Sequence, residues 1–207
     1  MLERVQERSW LHALGLQDRT HLRGAQKALA QWAIVDDYNN ILDLSCQDTR
    51  LLRFLSQKYS LRACGIADDP EHARALRLEL PDAEIFCARK EDIPWRDQAF
   101  DAVFYQMKKN APAFDGTFLR EAARVLKPGG QLFAPTFVHG EVPRTRLRML
   151  AMRCAGLQIY NSWMVPQYLA FLQAGGFAVQ EHALLGDTLA PLCYARAVPD
   201  KTRVTQR

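Results

Sequence analysis

The stretch Asn40-Ile41-Leu42-Asp43-Leu44-Ser45-Cys46-Gln47-Asp48-Thr49 decides the fold, because the period of the apolar residues changes across it. Upstream, to about Ile34, Leu2, Val5, Trp10, Leu11, Leu14, Leu22, Ala25, Leu29 and Trp32 recur mostly three or four apart, which predicts helix. Gly15 and Gly24 interrupt that pattern, so two short helices are expected within residues 1–36. The part of the quoted stretch from Asn40 to Ser45 is instead a short apolar run, the mark of a buried strand, and Thr49 to Tyr59 is helical again.

The alternation continues downstream. Leu61 to Ile66 reads as a second strand, followed by a helix with Asp69 as N-cap and Pro70 in its first position. Ala83 to Cys87 and Phe100 to Tyr105 read as strands. Thr117 to Leu126 reads as a helix stopped by Lys127-Pro128-Gly129-Gly130, and Gln131 to Pro135 as the next strand. Strands alternating with helices across short connections predict an α/β fold, a doubly wound, mostly parallel sheet with helices on both faces. After a helix from Pro166 to Ala174, Phe177 to Leu184 and Leu189 to Val198 form a hairpin pattern around Gly186-Asp187-Thr188, so one late strand must run antiparallel.

Composition narrows the function classes. A chain of 207 residues, 48% apolar and 24% charged, suits one domain over residues 1–198 with a polar tail over 199–207. The net charge of +4 is spread without a basic stripe, which argues against nucleic acid as partner. Five dispersed cysteines form neither a CxxC pair nor a cluster with histidine, so no metal site is expected and reduced core thiols are. The start MLERVQERSW lacks the apolar core of a signal peptide, and no apolar run is long enough to span a membrane. The reading therefore expects a cytoplasmic protein.

In such sheets ligands sit beyond the carboxyl ends of the strands, at the point where strand order reverses. The loops after Leu44, Ile66, Cys87 and Tyr105 should therefore converge on one crevice. At these places a family resemblance emerges. Ile41 to Thr49 resembles the first motif of class I S-adenosylmethionine-dependent methyltransferases, hydrophobic-L-D-L-G-C-G-T-G. Phe86 to Trp95 resembles their segment G-D-A-E-D-L-P-F, and Phe100-Asp101-Ala102-Val103 their F-D-x-V strand. Leu119 to Gly130 is similar, nearly residue for residue, to L-x-E-x-x-R-V-L-K-P-G-G, and Tyr168 to Phe177 resembles a late helix ending A-G-F.

The resemblance implies a seven-stranded sheet, S-adenosylmethionine as cofactor, a cofactor-binding half over residues 40–135 and a lid over residues 144–163. It assigns Asp43, Ser45, Cys46, Gln47, Asp68, Asp69, Glu91, Asp92 and Tyr105 to cofactor binding. Tyr105, Gln106 and Lys108 would face a small-molecule methyl acceptor. No single catalytic residue is common to the class, since displacement at a sulfonium asks mainly for alignment and a dry site. The lid segment interleaves Arg144, Arg146, Arg148 and Arg153 with apolar residues, which fits either an acceptor cover or a surface helix. With the N-terminal helices it also offers apolar faces on which two copies could pair.

Three departures stand in the same motifs. Ser45, Gln47 and Thr49 replace the three glycines, and glycine conformations kept at such residues would cost about 1–3 kcal/mol each. Ala67 falls where the family places the acid that binds the ribose hydroxyls, with Asp68 and Asp69 following as substitutes. Arg89 falls where an acid meets the adenine amino group, and arginine accepts no hydrogen bond. Two function classes follow: a small-molecule methyltransferase, or a non-catalytic module on the same fold. A nicotinamide dehydrogenase lacks its G-x-G-x-x-G, and a hydrolase its G-x-S-x-G elbow.

Overall fold

The structure is a computed structural model that describes residues 27, 29–105, 116–138, 147, 150, 163–185 and 192–200. The strands are β1 (Asn40–Asp43), β2 (Arg62–Ala67), β3 (Glu84–Cys87), β4 (Phe100–Phe104), β5 (Leu126–Phe137), β6 (Phe177–Leu185) and β7 (Leu192–Pro199). Between them lie α1 (Arg50–Lys58), α2 (Pro70–Glu79), α3 (Thr117–Val125) and α4 (Val165–Ala174). They build the expected architecture, a seven-stranded sheet in the order β3-β2-β1-β4-β5-β7-β6. Strands β1 to β5 pair in parallel, and β7 runs antiparallel to both β5 and β6.

The period-two alternation of strand side chains divides the core between the two faces of the sheet. Ile41, Ala102, Phe104, Phe133 and Tyr194 face α1, α2 and the helical residues 29–32. Leu42, Val103, Leu132, Ala134, Cys193 and Ala195 face α3 and α4. Each helix turns its apolar stripe inward: Leu51, Leu52 and Leu55 from α1, and Phe118, Leu119, Ala122 and Val125 from α3. Cys46, Cys64 and Cys193 are buried as expected of small core residues, whereas Cys87 on the edge strand is exposed.

The N-terminus of α2 forms as the sequence predicts, with Asp69 accepting from the His72 N–H at 2.8 Å and Pro70 in the first turn. The stop at Lys127-Pro128-Gly129-Gly130 takes another form. Leu126 already pairs with Phe100, and the register then shifts so that Gln131 meets Ala102, leaving the Pro-Gly-Gly turn bulged out within β5. Gly129 there has φ +83, a conformation that favours glycine. Lys127 closes the bulge by pairing with Asp101 at 2.7 Å, and Asp101 also accepts from the Asn40 N–H at 2.8 Å.

Several expectations lie outside the described residues: the first N-terminal helix, Gln106 and Lys108, the fifth cysteine Cys154, most of the lid segment, the Gly186-Asp187-Thr188 turn and the tail beyond Asp200. Leu147 and Leu150 within the lid segment are helical and exposed. Trp95 is accounted for by packing, since it meets Phe86 and Phe100 edge-on at 5.1 and 5.4 Å. Trp163 likewise packs beside Phe171 and Tyr168.

Candidate active site

The strand order reverses between β1 and β4, which places the crevice above their carboxyl ends. Asp43, the last residue of β1, is fully buried there. Its Oδ1 accepts from the Ser45 N–H at 2.9 Å and from the Ser45 hydroxyl at 3.4 Å. Its Oδ2 has no partner among the described residues. Burial, helped by the charge of Asp48, pushes the Asp43 carboxyl up from 3.8 to about 7.

The loop after β1 continues as Cys46, whose N–H donates to Ile66 O at 3.0 Å, so the loop is stitched to β2. The Cys46 thiol sits against Gly65, where any Cβ would come within 3.1 Å of its Sγ. Burial pushes that thiol well above its ordinary range, so it stays protonated and is no nucleophile. Ser45, Cys46 and Gln47 then line a cavity of about 110 Å³ with Ile66, Asp68, Asp69 and His72. Ligand pockets run to roughly 300 Å³ and more, so this cavity receives only part of a nucleoside-sized molecule.

The strain that glycine replacement would bring is absent at Thr49. Its φ of −81 and ψ of −2 are helical, and neither it nor Gln47 has a positive φ. The position has been given structural work instead, because the buried Thr49 hydroxyl donates to Glu79 Oε2 at 3.0 Å.

The second and third loops divide the candidate residues. Ala67 is buried within β2, while Asp68 and Asp69 are exposed at the cavity rim. One oxygen of Asp69 is already engaged in capping α2. Arg89 and Glu91 lie 3.8 Å apart, and the Arg89 side chain is 82% exposed. Asp92 is exposed and its N–H donates to Arg89 O at 3.0 Å, which makes it part of an ordinary turn. Tyr105 is buried and stacks on Phe118 with ring centres 4.1 Å apart, so its ring belongs to the core.

Two residues at the site had no role in the sequence reading. His72, one turn into α2, lines the cavity with an Nε2 that has no partner among the described residues. Lys90 reaches toward Tyr105, with its Nζ 5.8 Å from the ring centre and 3.7 Å from Glu91 Oε1. Lys90 stands where the family pattern has alanine, so no motif signal marked it. His72 carried only the weak signal of lying three residues after an N-cap.

The loop bearing Glu91 is held from behind by α3. Arg124 donates to the carbonyls of Ile93 and Trp95 at 3.0 and 2.9 Å and to Asp97 at 2.7 Å. It also pairs with Glu121, whose Oε2 accepts from the Ile93 N–H at 3.1 Å. The E-x-x-R element of the sequence is thus a clamp on the third loop.

Comparison with known proteins agrees with the fold. Residues 42–134 match the family model described as a methyltransferase domain. Over 118 residues the chain is 31% identical to a ubiquinone/menaquinone biosynthesis C-methyltransferase of Bartonella tribocorum, a match covering 56% of this chain and 45% of that protein. The chain thus spans less than half the length of that relative. Among solved structures, a chain of the Haloferax volcanii complex between the Trm112 methyltransferase activator and a methyltransferase is similar, with TM-score 0.72 and 19% identity. That likeness covers 92% of this chain and 94% of the other. The [4+2]-cyclase SpnF is similar too, with TM-score 0.69, 16% identity, and coverage of 86% and 81%. The same architecture therefore carries more than one reaction. From Leu42 to Ala134 the chain matches the methyltransferase domain family, and across its described residues it has the class I methyltransferase fold.

Proposed function

We propose that the chain is an S-adenosylmethionine-dependent methyltransferase acting on a small-molecule acceptor. The observation that carries this reading is Asp43, a fully buried carboxylate with one oxygen unpartnered among the described residues, at the point where the strand order reverses. Such a group is costly to bury unless a donor meets it, and an amino group arriving with a ligand supplies that donor. Asp43 and the loop Ser45 to Gln47 would hold the amino-acid end of the cofactor. Asp68, which lines the same cavity, would take the ribose in place of Ala67. The loop at Glu91 would bound the adenine end, with Asp92 turned outward.

When bound, the cofactor supplies a methyl group activated on a sulfonium. The chain's own contribution is placement. Asp43 orients one end through charge, the Glu121–Arg124 clamp fixes the third loop, and Tyr105 closes the floor against Phe118. Support for the cofactor comes from the matched family and the fold. A non-catalytic binding module on the same fold is the second reading, favoured by the buried Ala67, whose side chain accepts nothing.

Calorimetric titration with S-adenosylhomocysteine separates the two. Micromolar binding that is lost in Asp43→Ala supports the enzyme. No heat and no shift in melting temperature at millimolar ligand overturns it. Binding gained only in Ala67→Asp favours the module.

A further inference from the structure

His72 lines the cavity beyond β1 and β2 together with Gln47 and Asp69, and its Nε2 is shielded from solvent with no partner among the described residues. A ring nitrogen buried in this way is costly unless a polar group meets it. The cavity, of about 110 Å³, is several times the roughly 10–15 Å³ that one water needs, so a single bridging water would not fill it.

The start of α2 decides what kind of group can meet His72. Asp69 caps the helix by accepting from the His72 N–H at 2.8 Å, its carbonyl accepts from the Ala73 N–H at 3.0 Å, and Pro70 brings no N–H. The positive end of α2 is thus taken up by the chain's own carboxylate, and no anion is called for there. Asp69 also places negative charge on the cavity wall, which repels phosphates and carboxylates. A metal ion fits no better, since among the described residues no three His, Cys, Asp or Glu side chains are grouped to hold one.

A neutral hydroxyl meets these conditions. In neutral imidazole Nε2 donates in one tautomer and accepts in the other, and a hydroxyl answers either. An ammonium donates only, and so serves Nε2 in just one of them. The ring torsion of histidine is broad, which lets the imidazole turn onto a hydroxyl without leaving its rotamer. A second hydroxyl beside the first has the Gln47 amide on the same cavity, and that amide both donates and accepts.

We infer that His72 is a hydroxyl-binding residue, and that this cavity takes the vicinal diol of a pentose ring with His72 Nε2 as a direct hydrogen-bond partner. Naming that pentose as the cofactor's ribose rests on the methyltransferase reading. The preference for a neutral diol rests on the cavity's own side chains. His72 thereby supplies, from the first turn of α2, a polar contact that the buried Ala67 at the end of β2 does not.

The test compares adenosine with 2′,3′-dideoxyadenosine, each titrated into the full chain by calorimetry and followed in nitrogen NMR spectra of histidine-labelled protein. Adenosine should bind about tenfold more tightly. His72→Leu should abolish that preference, and His72→Gln, whose amide reaches as far as Nε2, should keep part of it. The ring nitrogens of His72, identified by their loss in His72→Gln, should shift with adenosine and stay in place with the dideoxy compound. Equal binding of the two nucleosides, a preference that survives in His72→Leu, an unmoved His72 signal, or no binding of either overturns the inference. S-adenosylhomocysteine is titrated alongside. If it does not bind while the diol preference holds, the methyltransferase reading falls and the role of His72 stands; if it binds and the preference is absent, only the role of His72 falls.

Discussion

The Thr49 hydroxyl donates to Glu79 Oε2 at 3.0 Å and so ties the first turn of α1 to the last turn of α2. Arg53 adds a second tie, donating to the Glu79 carbonyl at 3.0 Å. A residue in place of the family's glycine is here a cross-brace between two helices on one face of the sheet. Restoring glycine should therefore harm the fold. Thr49→Gly should lower stability by about 1–2 kcal/mol, through the lost hydrogen bond and the freer unfolded chain. Thr49→Ser should cost less. Urea melts would decide, and a gain in stability for Thr49→Gly would show that threonine is strained there after all.

Asp43 makes stability fall as pH rises. Its carboxyl titrates near 3.8 when unfolded and at about 7 when folded, so the folded state holds the extra proton between these values. The penalty is absent below the unfolded value, grows from about pH 4 to pH 7 and is complete above. At 1.36 kcal/mol per unit it is on the order of 4 kcal/mol. Asp43→Asn should be the more stable protein at pH 8 and nearly equal to the parent at pH 4. Parallel denaturation curves across this range would refute it.

The Arg124 clamp depends on the fork of the guanidinium, which serves two carbonyls and two carboxylates at once. Lysine cannot reproduce that geometry. Arg124→Lys should destabilise the chain by about 2–3 kcal/mol. Amide exchange of Ile93, Trp95 and their neighbours should quicken more than that of β4. Uniform quickening would mean that Arg124 stabilises the whole fold and has no particular hold on the loop.

Gly175 caps α4 with φ −76, a conformation open to any residue, so its need is for space. A Cβ there would come within 2.2 Å of Leu119 Cδ1 and 3.1 Å of Leu119 Cβ, and Leu119 is fully buried. Gly175→Ala should cost about 1–3 kcal/mol by overpacking α4 on α3. Combining it with Leu119→Ala should cost less than the sum of the two single changes, because the cavity made by one receives the methyl of the other. Simple additivity would place the strain elsewhere.

Much of the fold was legible because its signals are local. The apolar run at Ile41 to Leu44, the Asp69-Pro70 helix start and the late glycine-bounded helix each state their own structure within a few residues. The stop at Lys127 to Gly130 was legible as a turn but not as a bulge inside β5, since that depends on which residue of β4 it meets. At the site, Asp43, Ser45, Cys46, Gln47 and Asp68 could be named from a motif, as motifs preserve order along the chain. Lys90 and His72 could not, because their neighbours are Tyr105 and the loop after β1, remote in sequence.

By itself the sequence determined the succession of strands and helices, the apolar face of each, and the loops that would meet, because these follow from backbone periodicity and the residues that start and stop it. Only the tertiary structure decided what each departure from the family pattern does. It gave Thr49 a partner thirty residues away, left one oxygen of Asp43 unsatisfied among the described residues, and carried Lys90 across two strands to Tyr105. The physical reason is that hydrogen bonding and burial act between neighbours in space, and chain order fixes those neighbours only after the sheet has formed.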